Sequence, residues 1–319
     1  DSQLANTHTR AEYSMETKYR IIPRQFGKYN GKNCFEIEEV CIQTGTMSFE
    51  DYLDCRGISF ILIVLQDRQF DAFHRFINEV ALSVFDVVEL IWHQARSGNS
   101  PISDIYDRYI NASKQELFDS PEAINAHFGR KENYQKLLSR EEGDNLLRYY
   151  RSAVFIERCS ESVNLMADAI RALGKEILCP NQEAALDDLN RWVATTRDLH
   201  NIFNGAGGDP KSKNLQLDHD VENWYQENEP DRPLADYKGH TEYQLDRDWP
   251  LIDKMFTTAK ALYGEDPYMF FPSLFLYEPI SKVWKRCKKV VTKNNSMPLG
   301  PTGNETNEQA MRGNIVIRN

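Results

Sequence analysis

The stretch that most restricts what this chain can fold into runs from Lys18 to Leu65, where a turn, a break and a cap follow one another in order. Tyr19, Ile21 and Ile22 form a β-prone run that stops at Pro23. The pair Asn30-Gly31 then supplies two residues that tolerate the positive φ angles of a type I′ turn, and Phe35, Ile37, Val40 and Ile42 return as an extended segment. Phe35 and Ile37 lie on one face and Val40 and Ile42 on the other, so a bulge is expected at Glu38-Glu39 to restore the phase. Thr44-Gly45-Thr46 breaks the strand. Ser48 and Asp51 have capping-box spacing, and a helix is expected to run through Gly57 into Ile58–Leu65.

Helical spacing dominates after that, whereas residues 1–17 show no sustained period and read as an irregular opening. Phe70, Phe73, Phe76, Ile77, Val80, Val84, Val87, Val88 and Ile91 recur at three- and four-residue steps up to Ser97-Gly98-Asn99. Further helices are expected over 102–117, over 121–138 with Pro121 in first position, and over 140–173 with a capping box from Ser139 to Glu142. Gly174 closes that last helix, and Pro180 opens another over 181–203.

A change of composition follows. Gly205 to Pro210 reads as a flexible turn, and 216–248 carries Asp218, Asp220, Glu222, Glu227, Glu229, Asp231, Asp236, Glu242, Asp246 and Asp248 against Arg232, Lys238 and Arg247. Short strands near Leu215–Leu217 and Thr241–Leu245 are expected around a turn of helix, then a helix over 249–263. A basic helix over 279–291 carries Lys282, Lys285, Arg286, Lys288 and Lys289, and its expected counter-charge is the chain's own acidic stretch. Residues 292–319 are too poor in apolar side chains to build a core and are expected to be disordered. The fold class is therefore mainly α, with an N-terminal β-hairpin, a multi-helix body and a small α+β segment. Its parts are 1–46, 47–204, 205–291 and the 292–319 tail.

Charge and cysteine usage exclude several functions. A formal charge of −10 argues against nucleic acid as a partner, because a phosphate backbone needs a positive footprint. The longest apolar run, Ile58 to Leu65, is far short of the ~20 residues of a membrane span. No secretory signal is visible, and Asp1 in place of an initiator methionine is expected to mark a cleaved, excised or truncated product. Cysteines 34, 41, 55, 159, 179 and 287 stand singly, in no zinc or iron–sulfur spacing, so reduced thiols and a cytoplasmic setting are expected.

The candidate chemistry outside the hairpin is weak. Glu89 and His93 are four apart but sit beside the apolar stripe, and H-E-x-x-H is absent. His74, His127 and His200 stand alone as structural histidines. Gly205 to Gly208 lacks the preceding strand that a phosphate loop requires. Asp218-His219-Asp220 could move protons, yet no nucleophile accompanies it, and an acidic surface loop is the expected reading. No catalytic, cofactor-binding or metal-ligating residue is assigned.

At YRIIPRQFG…NCFEIEEVCIQTGTMSFEDYLDCRG the sequence resembles the region just after the catalytic core in cobalamin-binding radical S-adenosylmethionine enzymes, over roughly Lys18 to Arg56. The resemblance implies a parent protein with a cobalamin domain and a partial (β/α) barrel, whose CxxxCxxC loop holds a four-iron four-sulfur cluster with one iron open for S-adenosylmethionine. Neither that motif nor D-x-H-x-x-G occurs in this sequence. The hairpin would then be the last β-element of the barrel, and the helices an extension that docks on the N-terminal catalytic core and shapes its substrate site, inert alone. Arg20, Arg24, Glu38 and Glu39 would be the residues nearest a substrate cavity. The competing reading is a self-standing helical module that binds protein partners.

Overall fold

The computed structural model describes residues 5–197, 202, 212–226, 232–274 and 283–290, and within these the chain is mostly helical. A short helix, α1 (Thr7–Glu12), capped by the Asn6 side chain, precedes the strand pair β1 (Glu16–Tyr29) and β2 (Lys32–Gln43). Regular structure thus starts well before the expected Tyr19. The hairpin turns on Asn30 (φ 49°) and Gly31 (φ 80°), both in the left-handed region that a type I′ turn demands.

The bulge is not at Glu38-Glu39. Tyr19 pairs with Glu39, Arg20 with Glu38 and Ile21 with Ile37 without interruption; the register shifts once between Glu16 and Thr17, opposite Gln43 and Cys41, and again, by more, between Ile21 and Phe26 opposite Ile37 and Phe35. At the larger shift the surplus residues belong to β1, around Pro23, which cannot donate a ladder hydrogen bond, and Arg24, whose φ is 64°.

Helix α2 (Phe49–Leu65) starts on the expected reciprocal box, with Ser48 and Asp51 each accepting the other's backbone N–H. It continues straight through Gly57. The phenylalanine–valine stripe is two helices, α3 (Asp71–Glu79) and α4 (Val84–Arg96), parted where Ala81 takes φ 55°. Helix α5 (Ser103–Gln115) follows. The 121–138 and 140–173 segments each divide. The first becomes α6 (Pro121–Phe128) and α7 (Lys131–Ser139), separated at Gly129-Arg130. The second opens on a loop, because Arg140 turns to φ 67° and Ser139 donates to the Lys136 carbonyl instead of capping. Asn145 caps α8 (Leu146–Glu157) in its place, and α9 (Cys159–Leu173) begins after a bend at Arg158. Helix α10 spans Pro180–Thr196, with proline in the first turn as its sequence predicts.

A second sheet has the order β3-β4-β5, all antiparallel, from β3 (Ser212–His219), β4 (Lys238–Arg247) and β5 (Trp284–Val290). Helix α11 (Val221–Gln226) lies between β3 and β4, and α12 (Trp249–Tyr263) and α13 (Pro267–Leu274) between β4 and β5. The expected basic helix is therefore a strand over its described part. Its neighbour supplies the reason: β4 places Asp246 opposite Lys285, and a strand brings those opposite charges into register. Lys285 also reaches Asp248 at 3.5 Å.

One apolar core runs from Phe60 in α2 to Trp284 in β5 and includes Leu217, Trp224 and Tyr243, so the change of composition at 205 is not a break in packing. A smaller cluster joins Ile21 to Ile124, Phe128 and Leu137, with Tyr19, Phe26, Phe35, Phe118 and Tyr134 around it. The hairpin thus packs on α6 and α7 and gains a bridge to Phe118 through mutual backbone hydrogen bonds of 2.9 and 2.7 Å with Tyr19. A hairpin alone is marginal in water; here the helices behind it complete the burial. No helix among the described residues is long and apolar enough to cross a membrane. The Gly205–Gly208 segment, His200 and the 292–319 tail lie outside the described residues.

Candidate functional site

Strand alternation divides the four hairpin candidates. Arg20 donates to Glu38 across the hairpin at 2.6 Å and to Glu116, just past α5, at 2.8 Å. Arg56 of α2 closes the network on Glu116 at 2.9 Å and on Ser113 at 3.1 Å. Glu39 belongs to a separate group: it accepts from Thr17 at 2.6 Å and Tyr19 at 3.0 Å and pairs with Arg10 of α1 at 2.5 Å. The Arg10 hydrogen bond holds its carboxyl below the usual carboxylate range. Arg24 stands apart in the bulge, where its backbone N–H donates to the Gly143 carbonyl at 3.1 Å.

Arg20 lines a cleft of about 360 Å³ beneath the hairpin. Arg20 and Ile21 form one wall, the last turn of α5 with Glu116 and Phe118 a second, and His127 and Phe128 at the end of α6 a third. The Glu141–Asp144 loop and Leu146 complete it. The loop is tightly held. Glu142 accepts from Lys136 at 2.8 Å and faces His127 at 3.3 Å; burial opposes its charge, but these two partners outweigh burial and keep its carboxyl low. Gly143 takes φ 71°, a left-handed backbone that favours glycine, and a Cβ there would lie 2.4 Å from Leu137 Cδ2, so the leucine tip would have to shift. An adjoining cleft of about 220 Å³ lies on the other side of Glu142–Asp144 and is lined by Arg24 and Arg140. Glu38 and Glu39 line neither cleft.

The remaining sequence candidates separate into structural roles. Glu89 and His93 are 3.9 Å apart on an exposed helix face. His74 Nε2 lies 2.7 Å from the Leu65 carbonyl. The 218–220 triplet is not a surface loop at its centre: His219 ends β3, only 4% exposed, and its Nδ1 lies 2.8 Å from Asp188 Oδ2. Asp188, on α10, also accepts the backbone N–H groups of Asp218 and His219 at 2.9 Å each. A helix packed on a strand end needs such an acceptor, because the strand's terminal donors would otherwise be buried unpaired. A larger hollow of about 440 Å³ between α12 and α13 holds Lys260 and Glu265, which pair with each other.

No group of three His, Cys, Asp or Glu side chains among the described residues converges as a metal site. Cys34 and Cys41 lie on β2, Cys55 on α2, Cys159 on α9 and Cys179 before α10. These scattered thiols do not fit an iron–sulfur cluster, and no chemical step is assigned to one here. Sequence reasoning did not single out Glu116, Asp188 or the 141–144 loop. The loop alone left a local signal, Gly143-Asp144-Asn145 ahead of Leu146-Leu147, which is a turn followed by a cap.

No protein-family model matches the chain, and none of the curated proteins is significantly similar to it.

Proposed function

We propose that the cleft beneath the hairpin is a small-molecule site, and that the chain is the substrate-site-shaping, helical part of a cobalamin-dependent radical S-adenosylmethionine enzyme. The observation that carries this reading is Arg20. It belongs to the stretch that resembles the family, and it is held at the cleft wall by a carboxylate on either side, Glu38 and Glu116. A cleft with an apolar body and a few fixed polar groups is the common form of a small-ligand site. In this reading the iron–sulfur cluster, S-adenosylmethionine and cobalamin are held by the catalytic core of the same protein, in the cytoplasm, and this chain alone is inert.

The test is iron and cobalamin analysis of the full-length gene product after anaerobic reconstitution. Stoichiometric uptake of both is expected, and Arg20→Ala in that protein should lower substrate turnover at least about tenfold while leaving cluster content unchanged. A full-length product that takes up neither iron nor cobalamin sinks the enzymatic reading. The chain would then stand as a self-standing interaction module, whose β2 carries an edge that pairs with no other strand among the described residues.

A further inference from the structure

Charge around the cleft is unevenly compensated. Glu116 sits between the guanidiniums of Arg20 and Arg56, and Arg20 is shared with Glu38, so these four charges cancel. Glu142 is matched by Lys136 and His127. Two carboxylates in the wall have no ion-pair partner among the described residues, although Lys136 feels the charge of Glu141. Glu141 makes no hydrogen bond or ion pair among the described residues. Asp144 spends one oxygen on the Asn145 N–H at 2.7 Å, and its other oxygen, Oδ2, is buried with no partner.

Two further features act in the same direction. The final turns of α5 and α6 both end at the cleft, through Gln115 and Phe128, and helix C-termini carry partial negative charge. Phe118 and Phe128 offer aromatic surface, which favours a cation over an anion. Arg24 and Arg140, which make no ion pair among the described residues, line the adjoining cleft, which shares Asp144 with this one.

From this we infer that the cleft takes an organic cation: a primary ammonium on a small apolar or aromatic body, its charge met by Asp144 and Glu141 and its body lying against Ile21, Phe118, Phe128 and Leu146. The inference rests on the reading of the cleft as a small-molecule site and names its ligand class. An anion would face two carboxylates that have no ion-pair partner among the described residues, and a neutral ligand would bring them no counter-charge.

Calorimetry on the whole chain at neutral pH, with three probes of one shape, decides it: phenethylamine, 3-phenylpropanol and 3-phenylpropionate. Phenethylamine is expected to bind at least about tenfold more tightly than either of the others, the size of one charge-assisted hydrogen bond. Asp144→Asn should abolish that preference, the exposed Glu141→Gln should reduce it, and Lys260→Ala in the hollow between α12 and α13 should leave it unchanged. Where Asp144→Asn fails to fold, Glu141→Gln carries the comparison. Preferred binding of 3-phenylpropionate overturns the cation assignment while the small-molecule reading stands. Equal binding of all three probes, or a preference untouched by both substitutions, also overturns the assignment. No binding by any of the three overturns the assignment and the small-molecule reading of the cleft together.

Discussion

Single residues in this molecule are held by partners far along the chain, and Asp188 is the strongest case. It is 2% exposed, and it takes two backbone N–H groups, the His219 ring and the Arg191 guanidinium on its two oxygens. Burial pushes its carboxyl up, but the hydrogen bonds from His219 and Arg191 outweigh burial, and the net effect holds it below the ordinary range. Asp188→Asn is expected to cost about 3 kcal/mol at neutral pH, the size found when one partner of a buried charged pair is removed. The pH dependence fixes the cause. A carboxyl depressed in the folded state stabilises fully above its unfolded pKa of roughly 4, and that stability is lost as pH falls through the lower folded value. The gap between wild type and variant in urea denaturation should therefore be constant at neutral pH and narrow below about pH 4. A gap that stays constant down to pH 2 would show that the side chain acts through packing alone.

At the level of elements, the legible features were those that the chain encodes within a few residues. Asn30-Gly31 requires left-handed backbone at two consecutive positions, and Ser48 with Asp51 completes its cap inside one turn, so both could be read directly. The 279–291 segment could not be. Adjacent pairs of cations fit a strand or a solvated helix equally until a neighbour is known, and the neighbour that decides it, β4, lies some forty residues earlier in the chain. Helix α2 shows how a local rule is overridden by packing. Alanine at Gly57 should help an isolated helix by up to about 1 kcal/mol. In the fold, a Cβ at that point would lie 2.2 Å from the Tyr106 hydroxyl, which itself accepts from Trp92 Nε1 at 3.1 Å. Gly57→Ala is thus expected to destabilise by about 1–3 kcal/mol, the usual cost of overpacking, measured by thermal or urea unfolding. A stabilised variant would mean that α2 and α5 separate more easily than their contact suggests.

Across the whole molecule, the clefts and the core both depend on contacts between distant segments, which is why the candidate site was only half visible. Arg20 and Arg24 stood out within the hairpin, but Glu116, the partner that places Arg20 at the cleft, is 96 residues away, and no local pattern couples the two. The same long-range packing buries the aromatic hydroxyls. Tyr109 of α5 stacks on Phe60 of α2 at 4.7 Å, and Tyr268 of α13 stacks on Tyr149 of α8 at 5.0 Å and donates to Glu157 at 3.1 Å. Burial raises both phenols to about 12. A phenol raised in the folded state holds its proton where the unfolded chain has released it, so the stability it confers is complete below about pH 10 and lost between about pH 10 and 12. For the fully buried Tyr109 the slope is ~1.4 kcal/mol per pH unit, one proton's worth. Ultraviolet titration should show Tyr109 and Tyr268, with the still more strongly raised Tyr243, among the last tyrosines to ionise, at the onset of alkaline unfolding. Tyr109→Phe removes the ionisable group while keeping the ring against Phe60, and should flatten the loss of stability over that interval by about one proton. If the variant and the wild type lose stability with the same slope, Tyr109 ionises without unfolding, and the joint between α2 and α5 opens in the native state.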